Sequence, residues 1–151
     1  MSQTGIHSLT LDKLPFRDAY PFIETMMHDH SNESLGRDAL PDYTGFCALC
    51  EAGQLRTYLA MCIDEPIGYC VMYICTNMIH SDITQAIQIG VYVKPAFRTG
   101  FGRWMISQID TDLKQSVDRI YRHERPGSRV GSVYKRLGYR VDETTYVLDS
   151  W

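Results

Sequence analysis

The 151-residue chain predicts a single α/β (α+β) domain, a mixed and mostly antiparallel central sheet flanked by helices on both faces. Three observations carry that expectation. Apolar patterns of strand period and helix period follow one another along the chain. Residues 67–75 are apolar on both sides of their alternation, Tyr69, Val71 and Tyr73 opposite Cys70, Met72 and Ile74, as a strand covered on both faces requires. Residues 87–114 read as a strand, a turn rich in glycine and arginine, and a helix.

In chain order, residues 6–11 alternate imperfectly and suggest a short first strand. A helix follows, with Asp18 as its cap and Pro21 in its first turn, where a missing N–H costs nothing. Phe22, Ile23, Met26 and Met27 form its apolar face. The polar run His28-Asp29-His30-Ser31-Asn32-Glu33 is expected to fray into a solvated or substrate-lining loop. Beyond Pro41, the residues Tyr43, Phe46, Cys47 and Cys50 recur at helical spacing, with Gly53 as a C-terminal stop. Strands over 57–63 and 67–75 are joined by Asp64-Glu65-Pro66 as a tight hairpin connection. A polar loop over 76–84, carrying His80 and Asp82, leads to the alternating Ile87, Ile89, Val91 and Val93. Pro95 ends that strand because it cannot donate to a ladder. Met105, Ile109 and Leu113, with Trp104 and Ile106 beside them, stripe the next helix. Residues 119–125 read as a strand broken by Pro126-Gly127. Ser128 can cap a helix that runs to Leu137 and stops at Gly138. Strands over 139–141 and 145–148 close the chain.

Composition narrows the functional classes. With 44% apolar residues the chain can bury one sizeable core, and no apolar run reaches the length of a membrane span. The start, Met-Ser-Gln-Thr-Gly-Ile-His, lacks the basic and apolar regions of a signal peptide. Five cysteines, odd in number and set among apolar neighbours, read as reduced thiols, and a cytoplasmic location follows. Cys47-Ala-Leu-Cys50 lacks the second pair that a zinc site needs, and His28 and His30, two apart, share no helix face. No metal is expected. Residues 94–140 hold 11 Lys/Arg and 4 Asp/Glu, whereas residues 1–93 hold 4 and 11. The basic half suits a phosphorylated cofactor; nucleic acid is disfavoured because no recognised module accompanies the charge.

The chemistry-bearing stretch is Val93-Lys-Pro-Ala-Phe-Arg98-Thr99-Gly100-Phe101-Gly102-Arg103. Free N–H groups at a helix start, approached over side-chain-free Gly100 and Gly102, form a ready phosphate site, to which Arg98 and Arg103 add charge-assisted hydrogen bonds. There is no Gly-Lys-Ser/Thr for a P-loop, and no third glycine and later acid for a dinucleotide fingerprint.

The wording Val-x-Pro-x-Phe-Arg-x-Gly-x-Gly resembles the acetyl-CoA-binding motif of the GNAT (Gcn5-related) N-acetyltransferase superfamily, although it is one residue shorter between Arg98 and Gly102. A second match lies about forty residues on: Val133-Tyr134-Lys-Arg-Leu137-Gly138-Tyr139 resembles the family's Leu-Tyr-x-x-Leu-Gly-Phe signature. The resemblance is strong over residues 85–148 and extends to the compact GNAT-like proteins of tailed phages. It implies an N-acetyltransferase that takes acetyl-CoA as co-substrate and uses no metal. The pantetheine arm would pair with Val91 and Val93 beside a bulge at Gly90. The pyrophosphate would rest on Arg98, Thr99, Gly100, Phe101, Gly102 and Arg103, and Tyr134 would protonate the departing thiolate. Ser128 stands where many relatives carry Asn; it either takes over that contact with the cofactor or only caps the helix. The proton acceptor is left open among His80, Asp82, His28, Glu33 and a water chain. The acceptor amine, on a small molecule or a protein, is also open, as is a homodimer. The alternative is a GNAT-fold module without catalysis that binds CoA or a protein.

Overall fold

The computed structural model describes residues 8–150. The order of elements is β1 (Leu9–Leu14), α1 (Phe16–Leu35), α2 (Tyr43–Glu51), β2 (Leu55–Cys62), β3 (Glu65–Thr76), β4 (Thr84–Val93), a 3-10 turn (Pro95–Phe97), α3 (Phe101–Leu113), β5 (Arg119–Tyr121) and α4 (Val130–Arg136). The five strands lie in the order β1-β2-β3-β4-β5. All neighbours are antiparallel except β4 and β5, which run parallel. This is the expected mixed, mostly antiparallel sheet.

Each face of the sheet has its own core. On one face α1 buries Phe16, Ala19, Ile23 and Met26 against Leu59, Tyr69, Val71 and Tyr92. On the other, α3 buries Met105, Ile109 and Leu113 against Ile67, Cys70 and Met72. Each such aliphatic or aromatic side chain contributes about 1.5–3 kcal/mol when fully buried. The doubly apolar alternation of β3 thus has the reason inferred for it. Asp112 pins α3 to the sheet: it accepts from the Tyr58 hydroxyl at 2.6 Å and from Lys13 at 3.0 Å.

Several local expectations need correction. Pro15, not Asp18, is the N-cap of α1, and Pro21 lies in the helix interior. The helix also does not fray at His28 but continues to Leu35, closed by Gly36 at φ 67°. Its polar last turns persist because their side chains find partners, His30 on Tyr69 and Glu33 on Tyr92 and Arg98. The hairpin between β2 and β3 turns at Ile63 and Asp64, with Ile63 at φ 57°, and Pro66 falls inside β3 where the register slips. A bulge is where a strand tolerates proline.

The first strand runs over Leu9–Leu14, displaced from the expected 6–11; Ile6, in the N-terminal part of that expectation, lies outside the described residues. The final strand pair does not form. Residues 139–150 carry no strand, and Val141, Tyr146, Val147 and Leu148 are exposed. A lone two-stranded hairpin is marginal in water, and the three residues of β5 present too short an edge to recruit it.

Candidate active site

Strand β4 is bent and left open on one side. Val71 pairs with Gly90 and Met72 with Gln88, so Ile89 is an extra residue, a bulge that kinks the strand and raises its twist. On the opposite edge β5 follows β4 only over Gln85, Ala86 and Ile87. Beyond Ile87 no strand among the described residues pairs with that edge. The Lys94 N–H donates to the Ile67 carbonyl at 2.8 Å. Because backbone groups alternate along an antiparallel strand, Val93 and Val91 turn theirs towards the open edge. A cleft of 1110 Å³ lies there, bounded by β4, the second half of α1, the start of α3, and the chain from His123 into α4.

The bulge also sorts side chains between the two faces. Gln88, Val91 and Val93 face α3 and α4, whereas Gly90 and Tyr92 face α1. On the α4 face the Tyr134 hydroxyl sits 3.3 Å from Gln88 Oε1 and 3.2 Å from the His123 carbonyl oxygen. Burial pushes its pKa up to about 12, so it holds its proton at neutral pH and can give it to a stronger base. Gln88 is itself held in place, its Oε1 accepting from Arg122 Nη1 at 3.1 Å. Arg122 Nη2 pairs with Asp110 Oδ1 at 2.6 Å, and Tyr139 joins them, donating to Asp110 at 2.7 Å and accepting from Arg122 Nε at 3.0 Å.

On the α1 face, His30 stacks on Tyr92, with ring centroids 5.4 Å apart, and its Nδ1 lies 2.8 Å from the Tyr69 hydroxyl. Burial, and then the nearby Arg125, lower its pKa from the ordinary histidine value. Glu33 accepts from Tyr92 Oη at 3.1 Å and receives Arg98 Nη2 on both oxygens, at 3.0 and 2.7 Å. Arg98 Nε donates to the Val93 carbonyl at 2.8 Å, and its guanidinium lies over the Tyr92 ring.

At the end of the cleft, α3 begins without a side-chain cap. Gly100 is its N-cap at φ 87°, a conformation that favours glycine. The N–H groups that follow have no intrahelical acceptor, which makes this end electropositive. Of the residues singled out in the sequence, Val91, Val93, Arg98, Thr99, Gly102, Ser128 and Tyr134 line the cleft. Gly100 sits at the helix cap, Phe101 is buried in the α3 core, and Arg103 is exposed on α3 without a hydrogen bond among the described residues. The Ser128 oxygen accepts from Val130 N at 3.2 Å, but Ser128 is not the cap: Arg129 is the N-cap of α4, and no side-chain cap bond is made there among the described residues.

Among the candidate bases, only Glu33 lines the cleft, and it is paired with Arg98. His80 and Asp82 are exposed in the loop before β4, and His28 lies outside the lining, with Nδ1 buried and unpaired. His30 was not among the candidates. It follows Ile23 by seven residues and Met26 by four, so an uninterrupted helix places it on the buried stripe.

The fold has close counterparts. An aminoglycoside acetyltransferase from an uncultured soil metagenomic sample, solved with sisomicin, superposes with a TM-score of 0.70 at 14% identity, covering 95% of this chain and 98% of its own. The ribosomal-protein-alanine N-acetyltransferase from Brucella melitensis biovar Abortus 2308 superposes at 0.68 with 15% identity, covering 93% and 98%. No protein-family model matches the sequence, and no curated protein matches it. This chain has the fold of the GNAT acetyltransferases.

Proposed function

We propose that this protein is an acetyl-CoA-dependent N-acetyltransferase that acts on a primary amine of a small molecule or a protein. The carrying observation is the bulged, unpaired edge of β4, which runs from the buried Tyr134 hydroxyl to the uncapped start of α3. Acetyl-CoA supplies an activated thioester. Among the described residues, the outward backbone groups of Val91 and the N–H of Val93 are free to bind an extended amide-bearing arm; the Val93 carbonyl is already taken by Arg98. The N–H groups after Gly100, with Thr99 and Gly102 beside them, suit a pyrophosphate. A backbone donor at Val91 would polarise the thioester carbonyl and steady the negative charge that develops on its oxygen. Tyr134, protonated and buried, would deliver a proton to the departing sulfur.

Two features favour a second reading, a module that binds without catalysis: the shortened Arg98–Gly102 turn, and an Arg98 guanidinium already bonded to Glu33. A thiol-release assay separates the two. The panel would include an aminoglycoside and an alanine-initiated peptide, the acceptors that the names of the two counterparts suggest. Amine-dependent thiol release supports the enzyme. Acetyl-CoA binding without release supports the module.

A further inference from the structure

The β4 edge has an acid on one face and, in the reaction proposed above, needs a proton acceptor on the other. An attacking amine needs a face of the thioester that the cleft leaves accessible and that the sulfur's proton donor does not occupy. Tyr134 occupies the α4 face, which leaves the α1 face, across Gly90, for the amine. That face presents His30. A Cβ built on Gly90 would lie 3.7 Å from His30 Cε1 and 3.7 Å from the Tyr69 hydroxyl, which places the imidazole directly over the bulge. The ring lines the cleft, and its Nε2 makes no hydrogen bond among the described residues.

We infer that His30 is the proton acceptor for the incoming amine, held by Tyr69 and Tyr92; the inference rests on the acetyltransferase reading. The role requires the tautomer in which His30 Nδ1–H donates to the Tyr69 oxygen, 2.8 Å away, leaving the Nε2 lone pair towards the substrate. Nε2 takes one proton from the amine nitrogen as that nitrogen bonds to the thioester carbon. The C–S bond then breaks, the sulfur takes the Tyr134 proton, and solvent returns both side chains to their starting states. The charged and titratable neighbours are Glu33 on the same helix, Tyr69 on β3, Tyr92 on β4, Arg98 after β4 and Arg125 after β5. Burial opposes a positive imidazolium most, Arg125 and Arg98 add to that, and Glu33 favours it, for a net downward shift. The ring is therefore neutral, and able to accept a proton, at pH 7.

The test uses the full chain and the best acceptor from a panel of spermidine, tyramine, sisomicin and an alanine-initiated peptide. His30→Gln is expected to lower kcat/KM about a hundredfold or more while acetyl-CoA affinity stays within about twofold. The wild-type kcat/KM should rise with pH through an inflection below 6.5, the ordinary histidine value, and the variant should lack that inflection. In His30→Ala, added imidazole should restore rate in proportion to its free-base concentration. Nitrogen NMR of the wild-type ring should show Nδ1 protonated and Nε2 bare at pH 7. An unchanged inflection in His30→Gln, or an Nε2–H tautomer, overturns the assignment. A rate loss matched by lost acetyl-CoA affinity, without imidazole rescue, also overturns it by making His30 structural. If the wild type acetylates no amine and binds no acetyl-CoA, the acetyltransferase reading falls, and the role of His30 falls with it.

Discussion

On the α4 side of β4, Arg122 and Asp110 meet at 2.6 Å with their side chains 1% and 8% exposed. On the α1 side, Arg98 and Glu33 meet at 2.7 Å with side chains 45% and 43% exposed. The chemistry is the same and the physics is not. The first pair is sealed from water, so its charges depend on each other and on Gln88 and Tyr139. The second stands at the cleft, where water can replace either partner and exchange costs little. The buried pair fixes the surroundings of Tyr134, the residue proposed to protonate the departing sulfur, whereas the open pair can release its arginine to an anionic ligand. One face of β4 is built for position and the other for traffic.

The strongest way to break that contrast is Asp110→Ala. It strands the Arg122 charge in the core and should cost about 3–5 kcal/mol of unfolding free energy, read by denaturant titration. A loss under 1 kcal/mol would show water reaching that site. Next is Tyr134→Phe, expected to lower turnover about a hundredfold, near 2.7 kcal/mol of barrier, with acetyl-CoA affinity spared. An unchanged rate would remove Tyr134 from the mechanism. Arg98→Ala should change stability by no more than about 1 kcal/mol while weakening acetyl-CoA binding. Glu33→Gln, which frees Arg98 from its carboxylate, should leave that binding equal or tighter. If both substitutions leave affinity untouched, the phosphates lie elsewhere.

The smallest effect concerns acid stability. The folded-state pKa of His30 is depressed, so the neutral form is favoured in the fold. Its contribution is complete above the unfolded value near 6.5 and is lost as pH falls through the folded one. His30→Gln should flatten the pH dependence of stability in that acid window. An identical slope in wild type and variant would place the titrating group elsewhere.

The middle of the chain was the most legible part. Residues 87–114 announce a strand, a turn and a helix in short-range pattern, and β4 and α3 follow it. The cleft was legible in part. Val91 and Val93 gained a geometric reason in their outward backbone, but the partnership of Arg98 with Glu33 joins residues 65 apart, which no local pattern encodes. The polar run His28–Glu33 looked like a loop because propensity weighs it without its partners. Tyr69, Tyr92 and Arg98 supply those partners only after the sheet has formed. The C-terminal strands failed for the opposite reason: residues 139–148 have the alternation but no long edge to join.

The most direct test of a CoA site at the β4 edge is a thermal-shift titration with acetyl-CoA, controlled by adenosine diphosphate. A ligand held only by the folded protein at a hundred times its dissociation constant adds about 2.7 kcal/mol of stability. The account predicts a saturable upward shift, larger than that of the control and reduced in Arg98→Ala. No shift at millimolar acetyl-CoA would contradict it.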